Sequence, residues 1–123
     1  MKIFRAFGPF LGKTKLSKAI IVKINKQVDK SILSKKNDYS HKLVSQVKNQ
    51  TELSNKIIKK KLSNELIQNI KKYLFKSNLK NIKEIKIMNI WVVRQFKNEY
   101  NPVHYHEGQL SGVGYLRVPK FMT

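Results

Sequence analysis

The hydrophobic positions in the first two thirds of the chain recur at helical spacing. Ser17 precedes a four-residue series that predicts an N-capped amphipathic helix from Lys18 to Ile32, with its apolar side made of Ile20, Ile24, Val28 and Ile32. A longer series predicts a second helix from Ser54 to Lys76, with Ile58, Leu62, Leu66, Ile70 and Leu74. Before them, aromatic residues flank Gly8-Pro9, which predicts an extended, packed segment with a turn over Met1 to Lys15. Between the helices, Ser34 to Tyr39 predicts a loop, and a short strand or a helical turn both fit Leu43, Val44 and Val47.

The spacing changes at about Ile82. From there to Phe96 apolar residues occupy both parities, which predicts a strand buried on both faces. A turn follows at residues 97–102, and a second strand is expected from Ser111 to Val118, where Pro119 ends it. We therefore expect an α+β fold in one domain, in which residues 1–80 form an extended and helical support region and residues 81–123 form the first strands of an antiparallel sheet.

The composition fits one folded domain. The chain has 123 residues, of which 41% are hydrophobic, so it has enough apolar side chain for a core. It has no cysteine, which excludes disulfides, thiol nucleophiles and cysteine-bound metals. The absence of cysteine, of a signal-peptide core and of a long apolar run favours a cytoplasmic location without a membrane span.

The charge is strongly positive, with 26 basic against seven acidic residues and a formal net charge of +19. A nucleic-acid-associated or assembly role without catalysis is one interpretation, since lysines release counterions from phosphate backbones. Two observations count against that interpretation. Only three of the basic residues are arginine, the side chain that best recognises phosphates and bases. Lys, Ile and Asn are also the residues that an AT-rich coding sequence encodes most often, so base composition accounts for much of the charge. Residues 101–123 contribute only +1 of the charge, so the charge lies apart from the unusual motif described next.

That motif is a pair of histidines two residues apart. In an extended segment His104 and His106 project from the same face, so both imidazoles can bind one metal ion. Glu107 could add a carboxylate if the chain bends there. The alternative is that two histidines near a turn are simply exposed or hydrogen-bonded.

The sequence around the histidines resembles a known enzyme family. It contains Ile90-Trp91-Val92-Val93, then Asn101-Pro102-Val103-His104-Tyr105-His106, then Ser111-Gly112-Val113-Gly114-Tyr115-Leu116-Arg117-Val118-Pro119. This order is similar to that of the iron(II)- and 2-oxoglutarate-dependent oxygenases of the prolyl-hydroxylase-like group in tailed phages and bacteria. The region from Asp38 to Val47 also looks like that family's connecting segment.

The resemblance implies a double-stranded β-helix, or jelly roll, that binds Fe(II) and 2-oxoglutarate and hydroxylates a substrate with O₂. His104 would be the first iron ligand and His106 the second, although relatives usually have a carboxylate at the second position. Tyr115 and Trp91 are the candidates for contacting the cofactors, and Tyr115 could assist catalysis.

The family's late histidine ligand and its basic residue for 2-oxoglutarate have no counterpart in the expected order. His41 and Arg117 both precede the places where these residues would occur. We therefore expect an incomplete barrel that is truncated, degenerate, or completed by a second chain or another copy. A metal-binding protein without 2-oxoglutarate chemistry remains a further alternative.

Overall fold

A computed structural model describes residues 1–34, 49–79 and 81–122, and these form a mixed α+β structure. The elements in chain order are β1 (Lys2–Arg5), β2 (Phe10–Lys13), α1 (Lys18–Ser34), β3 (Asn49–Glu52), α2 (Lys56–Lys76), β4 (Trp91–Arg94) and a short 3₁₀ helix (Lys120–Met122). The α+β expectation is confirmed. The predictions for residues 35–48, including His41 and the Asp38 to Val47 segment, lie outside the described residues.

Helix α1 forms where the four-residue spacing predicted it and ends two residues later. Its side chains Ile20, Ile24 and Val28 are almost completely buried. Ser17 precedes the helix as expected, and its carbonyl accepts the first helical hydrogen bonds. The Ser17 hydroxyl, however, donates to Glu65 Oε2 at 2.8 Å, and the Ser17 backbone N–H donates to Glu65 Oε1 at 2.6 Å. The start of α1 is therefore tied to α2.

Helix α2 has a defined cap at each end. Asn55 Oδ1 accepts from the backbone N–H groups of the second and third helical residues at 3.0 and 3.1 Å, so Asn55 is the N-cap. At the other end Asn78 has a φ of 60°, and Leu79 N–H donates to the Leu74 carbonyl at 3.0 Å. A left-handed residue with this long-range bond is a Schellman motif, which ends the helix after Lys76 as predicted.

Strands β1 and β2 form an antiparallel hairpin that lies against α2. The pairing joins Lys2 to Lys13 and Arg5 to Phe10, so the predicted extended segment with a turn is observed. Tyr73 of α2 donates its hydroxyl to the Phe10 carbonyl at 2.8 Å. The expected burial of the aromatic residues is wrong, because Phe7 is 98% exposed and Phe10 is 40% exposed.

Strands β3 and β4 form the second antiparallel pair, which packs beside α1. In the core, Leu53 directly after β3 joins Leu62 of α2 and the buried side chains of α1. Ile90 and Val92, at β4, pack against this cluster while remaining partly exposed. The core is thus a small layer between two helices and a two-stranded sheet.

Two strand predictions are wrong. The strand expected from Ile82 to Phe96 is reduced to the four residues of β4, because β3 pairs with only those four residues in the described part of the chain. The segment Ser111 to Val118 contains no strand, since it contacts helix α1 rather than a neighbouring strand: the Leu116 carbonyl accepts from Asn25 at 3.2 Å. Among the described residues there are two separate two-stranded sheets and no closed barrel, so the sheets do not confirm a jelly roll. Neither described helix is long and apolar enough to cross a membrane.

Candidate functional site

Strand β4 places Trp91 beside the histidine motif. Trp91 is the first residue of β4 and pairs with Glu52 in the antiparallel register. Its indole ring is half-buried, and its ring centroid lies 5.5 Å from that of His106. The sheet therefore holds an aromatic ring against one of the two histidines, although fourteen residues separate the two positions along the chain.

The two histidines converge through their outer nitrogens. His104 Nε2 lies 3.0 Å from His106 Nε2, and the two rings are nearly perpendicular, with an interplanar angle of 87°. The segment that carries them is not a strand, yet the same-face arrangement expected from their spacing is present. The spacing of two residues is therefore enough to bring the two imidazoles together, even though the segment is not a strand.

The protonation of His104 is set by a backbone carbonyl. His104 Nδ1 lies 2.7 Å from the Pro102 carbonyl oxygen, and a carbonyl can only accept, so Nδ1 carries the hydrogen. In the neutral ring Nε2 then keeps its lone pair and points at His106. This is the arrangement by which metal-binding histidines are usually oriented, with the second ring nitrogen bonded to a carbonyl or carboxylate. When both rings are neutral, the hydrogen bond between them therefore runs from His106 Nε2–H to His104 Nε2.

Unlike Trp91, the predicted site residues Glu107 and Tyr115 are not assigned to the pair by the structure. Glu107 follows His106 but is exposed, and among residues 1–34, 49–79 and 81–122 no group of three or more histidine or carboxylate side chains forms a potential metal site. Tyr115 is 79% exposed in the segment that contacts α1. The ligand role of Glu107 and the cofactor role of Tyr115 therefore stay predictions.

The pair itself lies on an open surface. Both histidines are exposed. Two clefts, of about 410 and 240 Å³, run along α1, and neither is lined by His104 or His106. The two imidazoles could capture a metal ion from solution, but these clefts do not provide them with a water-excluding pocket.

A charged cluster that the sequence did not predict holds the segment around the histidines to α1. Asp29 accepts from Arg94 of β4 at 2.9 Å and from Arg117 at 3.2 Å. Partial desolvation acts to raise the pKa of the Asp29 carboxyl, but the hydrogen bonds and charges of the two arginines outweigh it, so this pKa lies below its usual value of 3.8. Both arginines are distant from Asp29 along the chain, so no local pattern predicts the cluster. The only signal in the sequence is that arginine is rare, and two of the three arginines take part in the cluster.

The chain was compared with known proteins in three ways. No protein-family model matches it, and neither the curated proteins nor the solved structures give a match. The geometry of the site therefore carries the functional argument.

Proposed function

We propose that this protein is related to the Fe(II)- and 2-oxoglutarate-dependent oxygenases and that His104 and His106 supply two ligands of its metal ion. The two small sheets and the helices would then be the support and first strands of a jelly roll. The observation that carries the proposal is the convergence of the two Nε2 atoms at 3.0 Å, with the His104 ring oriented by the Pro102 carbonyl.

The separation of the two nitrogens is small enough for both to bind one metal ion. Two imidazole nitrogens that are each about 2.1 Å from an ion are about 3.0 Å apart at a right angle and about 3.4 Å apart at a tetrahedral angle, so either geometry is reached with little movement of the rings. Octahedral coordination by two or three protein ligands, with open positions, is the arrangement of non-haem iron oxygenases. The pair would thus supply two of the three protein ligands of such a site, and a third is not found with it in the described ranges.

The chain's own residues have three roles in this proposal. Pro102 fixes the His104 tautomer, so the nitrogen facing the ion is unprotonated without a proton having to leave it. Trp91 limits the rotation of the His106 ring by lying against it. Asp29 holds the chain on both sides of the pair through the two arginines. Iron with bound 2-oxoglutarate would supply the oxidation of a substrate C–H bond by O₂, with release of succinate and carbon dioxide.

Metal titration tests the ligand assignment. We expect Co(II) or anaerobic Fe(II) to bind the full chain at one site, and His104→Ala and His106→Ala each to weaken binding at least tenfold, because each variant removes one of two chelating nitrogens. His41→Ala is the matched control, since it removes the one other histidine of the chain. Equal loss in all three variants, or no binding by the wild-type chain, would contradict the assignment.

Addition of 2-oxoglutarate to the Fe(II) form then tests the oxygenase relationship. A new visible charge-transfer absorption that requires both histidines is the expected result. Metal binding without that absorption would leave a two-histidine metal site and would contradict 2-oxoglutarate chemistry in this chain. The two parts of the proposal can therefore fail separately.

A further inference from the structure

An inclined row of polar side chains winds along the exposed surface of α2. Residues four apart form such a row, because each step of four turns about 40° around the helix axis, and here the row consists of Lys56, Lys60, Asn64, Gln68 and Lys72, all of them exposed. Lys71 lies next to the last of these and is also exposed. We call these six residues the α2 ridge. It has lysines at both ends and two amide side chains in the middle.

The ridge contains no acidic side chain. Glu65 is the one acidic residue of α2, and both its carboxylate oxygens accept hydrogen bonds from Ser17 at the start of α1. The other lysines of α2 with assigned contacts, Lys59 and Lys76, are bonded to Glu52 and to the Met1 carbonyl. Within the described part of the chain, no ion pair involves a lysine of the ridge. Composition alone explains many lysines, but it does not explain why the carboxylate of this helix is bonded to the start of α1.

The spacing of the ridge fits the major groove of duplex DNA. At 1.5 Å per residue, Lys60 and Lys72 are about 18 Å apart along the helix. The groove is about 12 Å wide, so ammonium groups at the two ends could reach the phosphates on its two sides. Asn64 and Gln68 would lie between them, and amide side chains pair with the base edges exposed in that groove.

We propose that the α2 ridge is a binding surface for duplex DNA, with the lysines on phosphates and the two amides toward the groove. The surface is independent of the histidine pair and of the metal chemistry proposed above. A membrane surface fits less well, because an interfacial helix needs a wide apolar face. The apolar side of α2 packs on the core through Leu62, and its exposed apolar residues Ile57 and Phe75 lie near opposite ends of the helix.

Fluorescence anisotropy with a labelled 20-base-pair duplex at several salt concentrations tests the ridge. The test variant is Lys60→Gln/Lys71→Gln/Lys72→Gln. The control is Lys83→Gln/Lys86→Gln/Lys97→Gln, which removes the same three charges from exposed positions outside both helices, so each protein falls from a formal +19 to +16.

The ridge variant should lose at least tenfold in affinity near physiological salt, and the slope of log K against log salt should fall by about 2.7, since each lost phosphate contact removes about 0.9. The control should change less than threefold. Equal losses in both triple variants would show a response to net charge and overturn the proposal.

Two further measurements separate DNA duplex from other polyanions. Asn64→Ala/Gln68→Ala keeps the charge and should reduce the preference for duplex over a single strand of the same length. If the wild-type chain binds single strands or acidic phospholipid vesicles as tightly as duplex, the groove assignment is wrong. Circular dichroism of every variant checks that the helices are retained.

Discussion

Replacing Ile24 by alanine tests the core on which the whole arrangement depends. Ile24 is 1% exposed in the middle of α1, five residues before Asp29, and it belongs to the buried cluster with Leu53 and Leu62. The substitution removes three buried carbon groups, which is about 2.4 kcal/mol of transfer free energy at roughly 0.8 kcal/mol per group. A residual cavity of about 50–80 Å³ would add roughly 1–2 kcal/mol. We therefore expect the free energy of unfolding to fall by about 3–4 kcal/mol.

Urea denaturation followed by circular dichroism measures this loss. With a denaturant slope of about 1.5 kcal/mol per molar, the midpoint should fall by about 2 M. Val22→Ala is the control, because Val22 is on the same helix but 64% exposed, and its truncation should change stability by less than about 0.5 kcal/mol. If Ile24→Ala shifts the midpoint no more than Val22→Ala does, α1 does not pack through this face and the described core is wrong.

Three other substitutions test the contacts around that core. Asp29→Asn should destabilise the chain at neutral pH. Because the pKa of Asp29 is lowered in the folded state, the deficit should shrink as the pH falls through that lowered pKa, below 3.8, as urea midpoints at pH 7 and pH 3 would show. Gly12→Ala would put a Cβ 2.7 Å from the Tyr73 ring and should cost about 1–3 kcal/mol in thermal unfolding, whereas Gly112→Ala, with open space at the same atom, should be nearly neutral. Asn55→Ala removes the N-cap of α2 and should cost about 0.5–2 kcal/mol; an unchanged melting temperature would contradict the cap.

The helices could be predicted from the sequence because their signals are local. The four-residue apolar spacing located α1 and α2, and the ends of both helices lie within two residues of those predicted. The convergence of His104 and His106 was predictable for a similar reason, since two side chains two residues apart in extended chain share a side.

The strands were predicted less accurately than the helices, because a strand forms only where a second strand pairs with it. The apolar residues before Trp91 have strand-like spacing, but β4 begins only at Trp91, where its pairing with β3 begins. β3 itself has the polar sequence Asn49 to Glu52, which carries no strand signal, and yet Gln50 and Thr51 within it are buried. The convergence of two distant arginines on Asp29 is equally invisible, since no periodicity connects those positions.

The position of the two arginines also determines how much the chain between them can change in length. Arg94 and Arg117 bind the two oxygens of one carboxylate, so residues 95–116, which include both histidines, form a loop whose two ends are held at the same place on α1. The entropy of closing such a loop changes slowly with its length, by about 0.6 kcal/mol for each doubling. Insertions or deletions within it would leave the anchors where they are. The length and sequence of this histidine-bearing loop can therefore change during evolution, including the positions of its metal-binding side chains, while the helices and the Asp29 contacts stay the same.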